Sequence, residues 1–251
     1  MKLTVIGSGT VVPDGNRNSA GYFLEASDAR VMLDCGAGSV HALDRFKLPW
    51  QKMTHLFVSH FHVDHVGELG SLFFAFKHGL RGERAEPLTL VGPRGLERVM
   101  RGLETAFGSD LFKPKFPVNV RLLDPGSRIE IGGAHLSVAK TPHTDESLAV
   151  RIEGDGRVIC YTGDTEYSDE LAGFFSKADL LVSECSFRER KEGVPHLSIK
   201  DVATLAERAR VARLVVTHFY FDVVESELKS ELQKNYSGEV VIGRDGLSLN
   251  I

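Results

Sequence analysis

The segment Ser59-His60-Phe61-His62-Val63-Asp64-His65 constrains this chain more than any other. It sets three imidazoles and a carboxylate within six residues, directly after the apolar run Thr54-His55-Leu56-Phe57-Val58. The run reads as a buried strand. A strand end followed by a turn lets His60 and His62 point at one ion while Asp64 and His65 swing toward a second. One ion cannot comfortably take all four donors at this spacing. Imidazole and carboxylate without thiolate suit zinc, manganese or iron rather than copper(I) or an iron–sulfur cluster. A surface histidine cluster on a polar loop would explain any one of these residues, but not the ordered set. A closed pair of sites needs about seven donors, so others must arrive from elsewhere in the chain.

Three further strand ends supply candidates. Val138-Ala139-Lys140-Thr141-Pro142-His143 is a short strand closing in a proline-stiffened turn with His143 at its tip. Val158-Ile159-Cys160-Tyr161-Thr162-Gly163-Asp164 is a buried-type strand whose glycine permits a tight turn that exposes Asp164. Leu214-Val215-Val216-Thr217-His218 repeats the pattern. Loops held by a sheet are where sites are usually built. His41, His55, His78 and His135 lack that context and read as ordinary residues.

With these motifs in hand, the sequence resembles the metallo-β-lactamase superfamily, and within it the ribonuclease Z-like phosphodiesterase branch. The resemblance rests on His60-x-His62-x-Asp64-His65 and on the opening Gly7-Ser8-Gly9-Thr10-Val11-Val12-Pro13 with Arg17-Asn18-Ser19-Ala20. It rests also on the turn Leu33-Asp34-Cys35-Gly36-Ala37-Gly38, on Gly163-Asp164-Thr165, and on Glu184-Cys185-Ser186-Phe187 with His196-Leu197-Ser198. The last pair is similar to the H-E-A-T-F and H-S-T motifs of ribonuclease Z, with Ser183 where the family has histidine. The motifs run from residue 7 to residue 218.

The resemblance implies the metallo-β-lactamase fold. This is an α/β, four-layer αβ/βα sandwich of two mixed β-sheets with helices on the outer faces, formed here by residues 1–251 as a single hydrolase domain. It implies two divalent ions, Zn2+ or else Mn2+. His60, His62 and His143 would hold one, Asp64, His65 and His218 the other, and Asp164 would bridge them. Two ions about 3.5–4 Å apart can share a hydroxide that attacks a phosphodiester in line and can neutralise the charge growing on the phosphoryl group. Asp34 would orient a ligand histidine through its second ring nitrogen, a role compatible with capping the Gly36-Ala37-Gly38 turn.

Asp64, Glu184 and His196 are the residues to which the resemblance gives a catalytic part. Expulsion of an alkoxide is helped by a proton donor, and a histidine tuned by a carboxylate supplies one near neutral pH. The bland alternative is that Glu184 ends a strand and His196 precedes the helix cap Ser198, with Asp201 three residues on. Lactonases and β-lactamases of the superfamily would use the same metals on acyl bonds without needing this pair. A non-enzymatic relative usually loses ligands, and none is lost here.

Substrate size divides the remaining readings. Many ribonuclease Z enzymes carry a long tRNA-gripping arm between the third histidine and the bridging aspartate, whereas here twenty residues separate His143 from Asp164. A net charge of −4 gives no basic footprint for a polynucleotide. Small or cyclic phosphodiesters are therefore expected ahead of a tRNA 3′-processing endonuclease. Basic stretches at 77–84 and 188–191, together with the 77–87 and 108–118 segments, keep RNA as the alternative partner. Dimerisation with a second copy would match the habit of the family's members.

Composition agrees with a soluble cytoplasmic enzyme. At 251 residues, 42% hydrophobic and 25% charged, the chain can bury a full core. Its three cysteines, Cys35, Cys160 and Cys185, are not spaced as a disulfide framework and read as small buried hydrophobes. The N-terminus opens on a strand without an export signal. No apolar run approaches the ~18–20 residues of a membrane span. Twelve strands are expected, near 2–7, 21–25, 30–34, 54–58, 88–91, 118–123, 135–139, 147–153, 157–161, 179–183, 213–217 and 239–242. Helices are expected at 95–107, 198–210 and 225–235, with another from about His65 carrying the mostly buried cluster Phe73-Phe74-Ala75-Phe76.

Overall fold

Strands that are apolar on both faces need partners on both faces, and the chain meets that demand with two stacked sheets and an outer layer of helices on each. A computed structural model describes residues 1–80 and 82–251. The first sheet holds β1 (Lys2–Gly7), β2 (Gly21–Ala26), β3 (Ala29–Leu33), β4 (His55–Phe57), β5 (Leu88–Pro93), β6 (Val118–Leu123) and β14 (Ser248–Asn250). The second holds β7 (Arg128–Ile131), β8 (Ala134–Lys140), β9 (Leu148–Gly154), β10 (Arg157–Tyr161), β11 (Leu180–Glu184), β12 (Arg213–Thr217) and β13 (Glu239–Ile242). Their orders are β14-β1-β2-β3-β4-β5-β6 and β13-β12-β11-β10-β9-β8-β7. This is the expected four-layer sandwich of the metallo-β-lactamase fold.

Side-chain alternation divides the interior into three layers. Leu3, Val5, Tyr22, Leu24, Val31 and Leu33 of the first sheet meet Leu136, Val150, Ile159, Leu180, Val182 and Val215 of the second in a central layer. The intervening residues face outward. Phe23 and Met32 pack under α1 (Ser39–Arg45), α3 (Leu69–His78) and α4 (Leu96–Phe107). Leu181, Leu214 and Val216 pack under α5 (Asp169–Phe174), α6 (Ile199–Ala209) and α7 (Glu225–Leu232). A four-residue helix, α2 (Val63–Val66), carries Asp64 and His65. Among the described residues no helix is long and apolar enough to cross a membrane.

Local chemistry accounts for several boundaries. Ser198 caps α6 by accepting from the Asp201 amide, and the Asp201 carboxylate accepts from the Ser198 amide, a reciprocal capping box. The β9–β10 hairpin turns at Asp155 and Gly156, both at positive φ (50° and 69°), as a tight primed turn requires. Strands β7 and β14 and helices α1 and α5 were not among the expected elements. β14 is three residues long and exists because β1 offers it a free edge; β7 is a half-exposed edge strand paired to β8. Of the phenylalanine cluster, Phe73 and Phe76 are buried, but Phe74 is 52% exposed on the other side of α3 beside His78. The three cysteines are buried and unpaired.

Strand direction places the site. β1 and β3 both run antiparallel to β2, and β4 and β5 run parallel to β3, so the C-terminal ends of β1, β3, β4 and β5 share one edge of the first sheet. β8 and β10 both run antiparallel to β9, and β11 and β12 run parallel to β10, so their C-terminal ends share one edge of the second. The two edges abut: the His218 amide donates to the Ser8 carbonyl at 2.8 Å, and the Leu148 amide to the Ser59 carbonyl at 3.0 Å.

Close packing beneath this edge leaves no room at Gly36, where a Cβ would lie 2.0 Å from the Asp64 carbonyl oxygen and 2.7 Å from Ser19 Cβ. Gly36→Ala is expected to displace α2 and to destabilise by about 1–3 kcal/mol. Gly102, inside α4 with open space around its Cβ position, is the control. Gly102→Ala should be neutral or stabilising by up to about 1 kcal/mol. Thermal and urea unfolding of both variants, followed by circular dichroism, checks the contrast; equal stabilities would show that Gly36 is not a packing constraint.

Candidate metal centre

Each candidate donor follows the C-terminal end of a strand on the shared edge. His60 lies beyond β4, His143 beyond β8, Asp164 beyond β10, and His218 directly after β12. Asp64 and His65 come from α2, whose first turn begins after His62. His60, His62, His143 and Asp164 bring one ligand atom each to within 4.8 Å of one another, and Asp64, His65 and His218 form a second such group. All seven residues singled out in the sequence therefore converge. Asp164 is buried and turned into this cluster rather than exposed, through a left-handed Gly163 at φ 58°. His62 is the exposed member, on the open side of the cluster.

Asp164 stands between the two groups. Its Oδ2 is 3.7 Å from His60 Nε2 and 3.7 Å from His143 Nε2, whereas Oδ1 is 3.3 Å from His65 Nε2 and 3.6 Å from His218 Nε2. His218 Nε2 also lies 3.3 Å from Asp64 Oδ2. The donors' other atoms are tied down behind the cluster. His65 Nδ1 meets Asp34 Oδ2 at 2.7 Å, His143 Nδ1 the Pro195 carbonyl at 2.9 Å, and His218 Nδ1 the Ser186 hydroxyl at 3.1 Å. Asp34 thus takes the orienting place expected of it, and it accepts also from the Ser59 amide, the Ser59 hydroxyl and the Tyr161 hydroxyl, each at 2.7 Å.

The donor set fits divalent cations. His60 Nε2 and His65 Nε2 are fully buried with no hydrogen-bond partner among the described residues, and both face Asp164. Buried nitrogens are left unpaired only where something else takes their lone pairs. Burial, with His65 alongside, pushes His60 well below its ordinary range and keeps it neutral, as a ligand must be. Burial would raise Asp164, but the imidazoles of His218, His65 and His60 outweigh it and hold the carboxylate well below its usual range. Burial would raise Asp64 as well, but the His218 hydrogen bond and the His65 charge outweigh it and hold its carboxylate below the usual range. Buried carboxylates converging with buried imidazole nitrogens are the donor types that a divalent cation takes.

Glu184 and His196 flank this cluster. Glu184 ends β11 and is 1% exposed. It accepts from the Thr165 amide at 2.6 Å, from the Leu197 amide at 3.2 Å and from His196 Nδ1 at 3.0 Å. His196 Nδ1 is 3.9 Å from Asp164 Oδ2, and its ring stacks on His218 with centroids 5.7 Å apart. Burial pulls His196 down, but the hydrogen bond and charge of Glu184, with Asp164, more than offset it and raise its pKa.

Four participants escaped the sequence reading: Ser59, Tyr161, Ser186 and Tyr220. Ser59 and Ser186 lie inside the quoted segments, but nothing in their spacing distinguishes them from loop serines. Tyr161 looks like an ordinary strand residue until β10 is placed opposite β3. Tyr220 stacks on Phe187 with centroids 5.0 Å apart and lies 5.9 Å from the His218 ring, half-buried at the rim. His55 and His78 lie apart from the cluster, on β4 and at the end of α3.

Known proteins place the arrangement. The Bacillus subtilis protein named probable metallo-hydrolase YhfI is 28% identical over 251 residues, covering 98% of each chain. Its crystal structure superposes with a TM-score of 0.85 over 99% of this chain and 98% of that one. A ribonuclease Z of Mycobacterium bovis is 26% identical over 270 residues, covering 98% of this chain and 96% of the relative. The short form of human tRNase Z shares the fold at 22% identity, with a TM-score of 0.81 over 100% of this chain and 99% of that one. The family model described as Anti-Pycsar protein Apyc1 matches residues 1–235. The chain belongs to that family, within the ribonuclease Z-like branch of the metallo-β-lactamase fold, and is a metal-dependent hydrolase.

Proposed function

We propose that the protein is a dinuclear phosphodiesterase acting on small or cyclic phosphodiesters. The observation that carries the reading is the split of Asp164, one oxygen toward His60 and His143 and the other toward His65 and His218. In this reading His60, His62 and His143 would hold one Zn2+ and Asp64, His65 and His218 the other, with Asp164 turned toward both groups and Mn2+ as the alternative metal. Such ions would supply Lewis acidity to a phosphoryl group and activate water as the nucleophile. Asp34, Ser59 and Ser186 fix the imidazoles behind, while the exposed His62 side leaves the front open to substrate.

His196 supplies the leaving-group proton. Its Nδ1 is committed to Glu184, so Nε2 is the atom that can carry a proton toward the cleft. The dyad favours phosphodiesters over the acyl bonds of lactones and β-lactams, whose hydrolysis has no need of it. Small substrates are favoured over tRNA because the residues between His143 and Asp164 are consumed by the β9–β10 hairpin, leaving nothing for an arm. The basic stretches are also engaged within the protein. Lys77 pairs with Asp110, Arg188 with Glu227 and Glu231, Arg190 with Glu166, and Lys191 with Asp222. Arg84 donates to the carbonyls of Gln51 and Met53 and lies over Phe116. Arg81, which belongs to the first stretch, lies outside the described residues.

Metal-reconstituted protein is expected to hold two ions per chain by elemental analysis. Asp164→Ala should lose at least ~10²-fold in kcat, about 2.7 kcal/mol of barrier, with the fold retained. Near wild-type turnover and metal content in Asp164→Ala would remove the bridging role.

The acid role gives a signed pH dependence. His196 donates only when protonated, so its raised pKa sustains activity to higher pH, and activity falls as pH rises through it. Glu184→Gln removes the main raising influence and should move this alkaline limb to lower pH. His196→Ala should slow alkyl diesters by ~10²-fold or more, and p-nitrophenyl diesters, whose leaving group needs little protonation, much less. Equal slowing of both substrates with metals retained would exclude the acid role.

A panel of bis(p-nitrophenyl) phosphate, cyclic nucleotides, precursor tRNA, a lactone and nitrocefin tests substrate class. The diesters are expected to turn over at least tenfold better than the others by kcat/KM. Efficient tRNA 3′ cleavage, weakening steeply as salt rises, would replace this reading with a processing endonuclease.

A further inference from the structure

Beneath the candidate metal positions, one hydrogen-bond pattern occurs twice, once behind each sheet. Behind the first, Asp34 Oδ2 meets His65 Nδ1 directly at 2.7 Å and also accepts from the Ser59 hydroxyl at 2.7 Å; that hydroxyl oxygen lies 3.0 Å from His60 Nδ1. Behind the second, Glu184 Oε1 meets His196 Nδ1 directly at 3.0 Å and Oε2 accepts from the Ser186 hydroxyl at 2.5 Å; that hydroxyl oxygen lies 3.1 Å from His218 Nδ1. Each carboxylate therefore serves one histidine by contact and a second through a serine.

The direction of both chains follows from the inventory of protons. An ionised carboxylate can only accept, so each serine must spend its one O–H on it. The serine's lone pairs then face the histidine Nδ1, which must carry the proton. Nε2 is left with its lone pair aimed forward. The forward atoms are the ones that matter: His60 Nε2 is buried without a hydrogen-bond partner among the described residues, and His218 Nε2 lies 3.3 Å from Asp64 and 3.6 Å from Asp164. Ser59 and Ser186 are 1% and 0% exposed, so solvent cannot substitute for either hydroxyl. A second carboxylate in place of each serine would add a further buried charge, which is costly.

We propose that Ser59 and Ser186 are positioning residues, each passing the pull of a buried carboxylate to a histidine it does not reach, so that Asp34 and Glu184 together fix the tautomer and aim of four imidazoles. For Glu184 this adds a duty beyond the proton donor: it anchors His218 as well as His196. The inference rests on the reading of His60 and His218 as ligands.

Zn2+ affinity tests it, measured on metal-free protein by competition with a chelating dye. Wild type should take up two ions, and Ser186→Ala and Ser59→Ala should each weaken one of them ~10–100-fold, the usual effect of removing a group that orients a ligand. Ser186→Thr, which keeps the hydroxyl, should restore wild-type affinity. Ser186→Cys, which fills the same space with a weak hydrogen-bonding group, should behave as Ser186→Ala and guards against loss of fold. In a His218→Ala background, Ser186→Ala should cost nothing further, whereas Ser59→Ala should still weaken the remaining ion. Two ions in wild type with both alanine variants within about twofold of it would overturn the role of the serines alone. A wild type that binds no ion would overturn the ligand reading and this inference with it.

Discussion

The architecture depends on four carboxylates, Asp34, Asp64, Asp164 and Glu184, buried where the two sheets meet, at exposures of 0%, 7%, 3% and 1%. Negative charge in such a place costs several kcal/mol per ion unless it is answered. Asp34 is answered by two serine bonds, a tyrosine hydroxyl and an imidazole, and Glu184 by two backbone amides, a serine and an imidazole. Asp64 and Asp164 are answered by imidazoles whose forward nitrogens leave room for something more positive. The site is an electrostatic demand built into the fold, and a divalent cation is the simplest species to satisfy it.

Holding that charge requires a rigid seam. Asp34 and His218 sit in the left-handed region, at φ 57° and 61°, and are held there by contacts across the seam. Such conformations carry strain and persist only where the surroundings over-determine them. Here the His218 amide is tied to the first sheet through Ser8, and the Asp34 carboxylate to the second through Tyr161. Tyr22 adds a bond to Thr217 beside His218. Each sheet thus braces the strained residue of the other, and the apolar central layer beneath keeps the two edges from parting.

The same seam sets which chemistry is convenient. Glu184 touches His196 directly, approaches His218 through Ser186, and raises the pKa of His196, all within the same seam. The half-buried Tyr220 stacks on Phe187 beside His218, and His62 is the exposed member of the cluster. The short His143–Asp164 connection is used up in the β9–β10 hairpin.

The residues that could hold metal were legible in the sequence because metal chemistry restricts residue type and strand ends restrict position. His60, His62, Asp64 and His65 announce themselves by density, and His143, Asp164 and His218 by their place after apolar runs. Most strands were legible too, since burial on both faces leaves unbroken apolar segments, whereas β7 and β14 form from short stretches that only a neighbouring edge stabilises. That Asp34 orients a ligand histidine and that Glu184 pairs with His196 was suggested mainly by resemblance; that the histidine beside Asp34 is His65 came only with the structure. What only the tertiary structure decided is which polar groups stand behind the donors. Ser59, Ser186 and Tyr161 are unremarkable in sequence, and their hydrogen bonds exist because strand direction brings the ends of β3, β4, β10, β11 and β12 to one seam. A one-dimensional pattern records which atoms a residue can offer; the direction in which it offers them is fixed by packing.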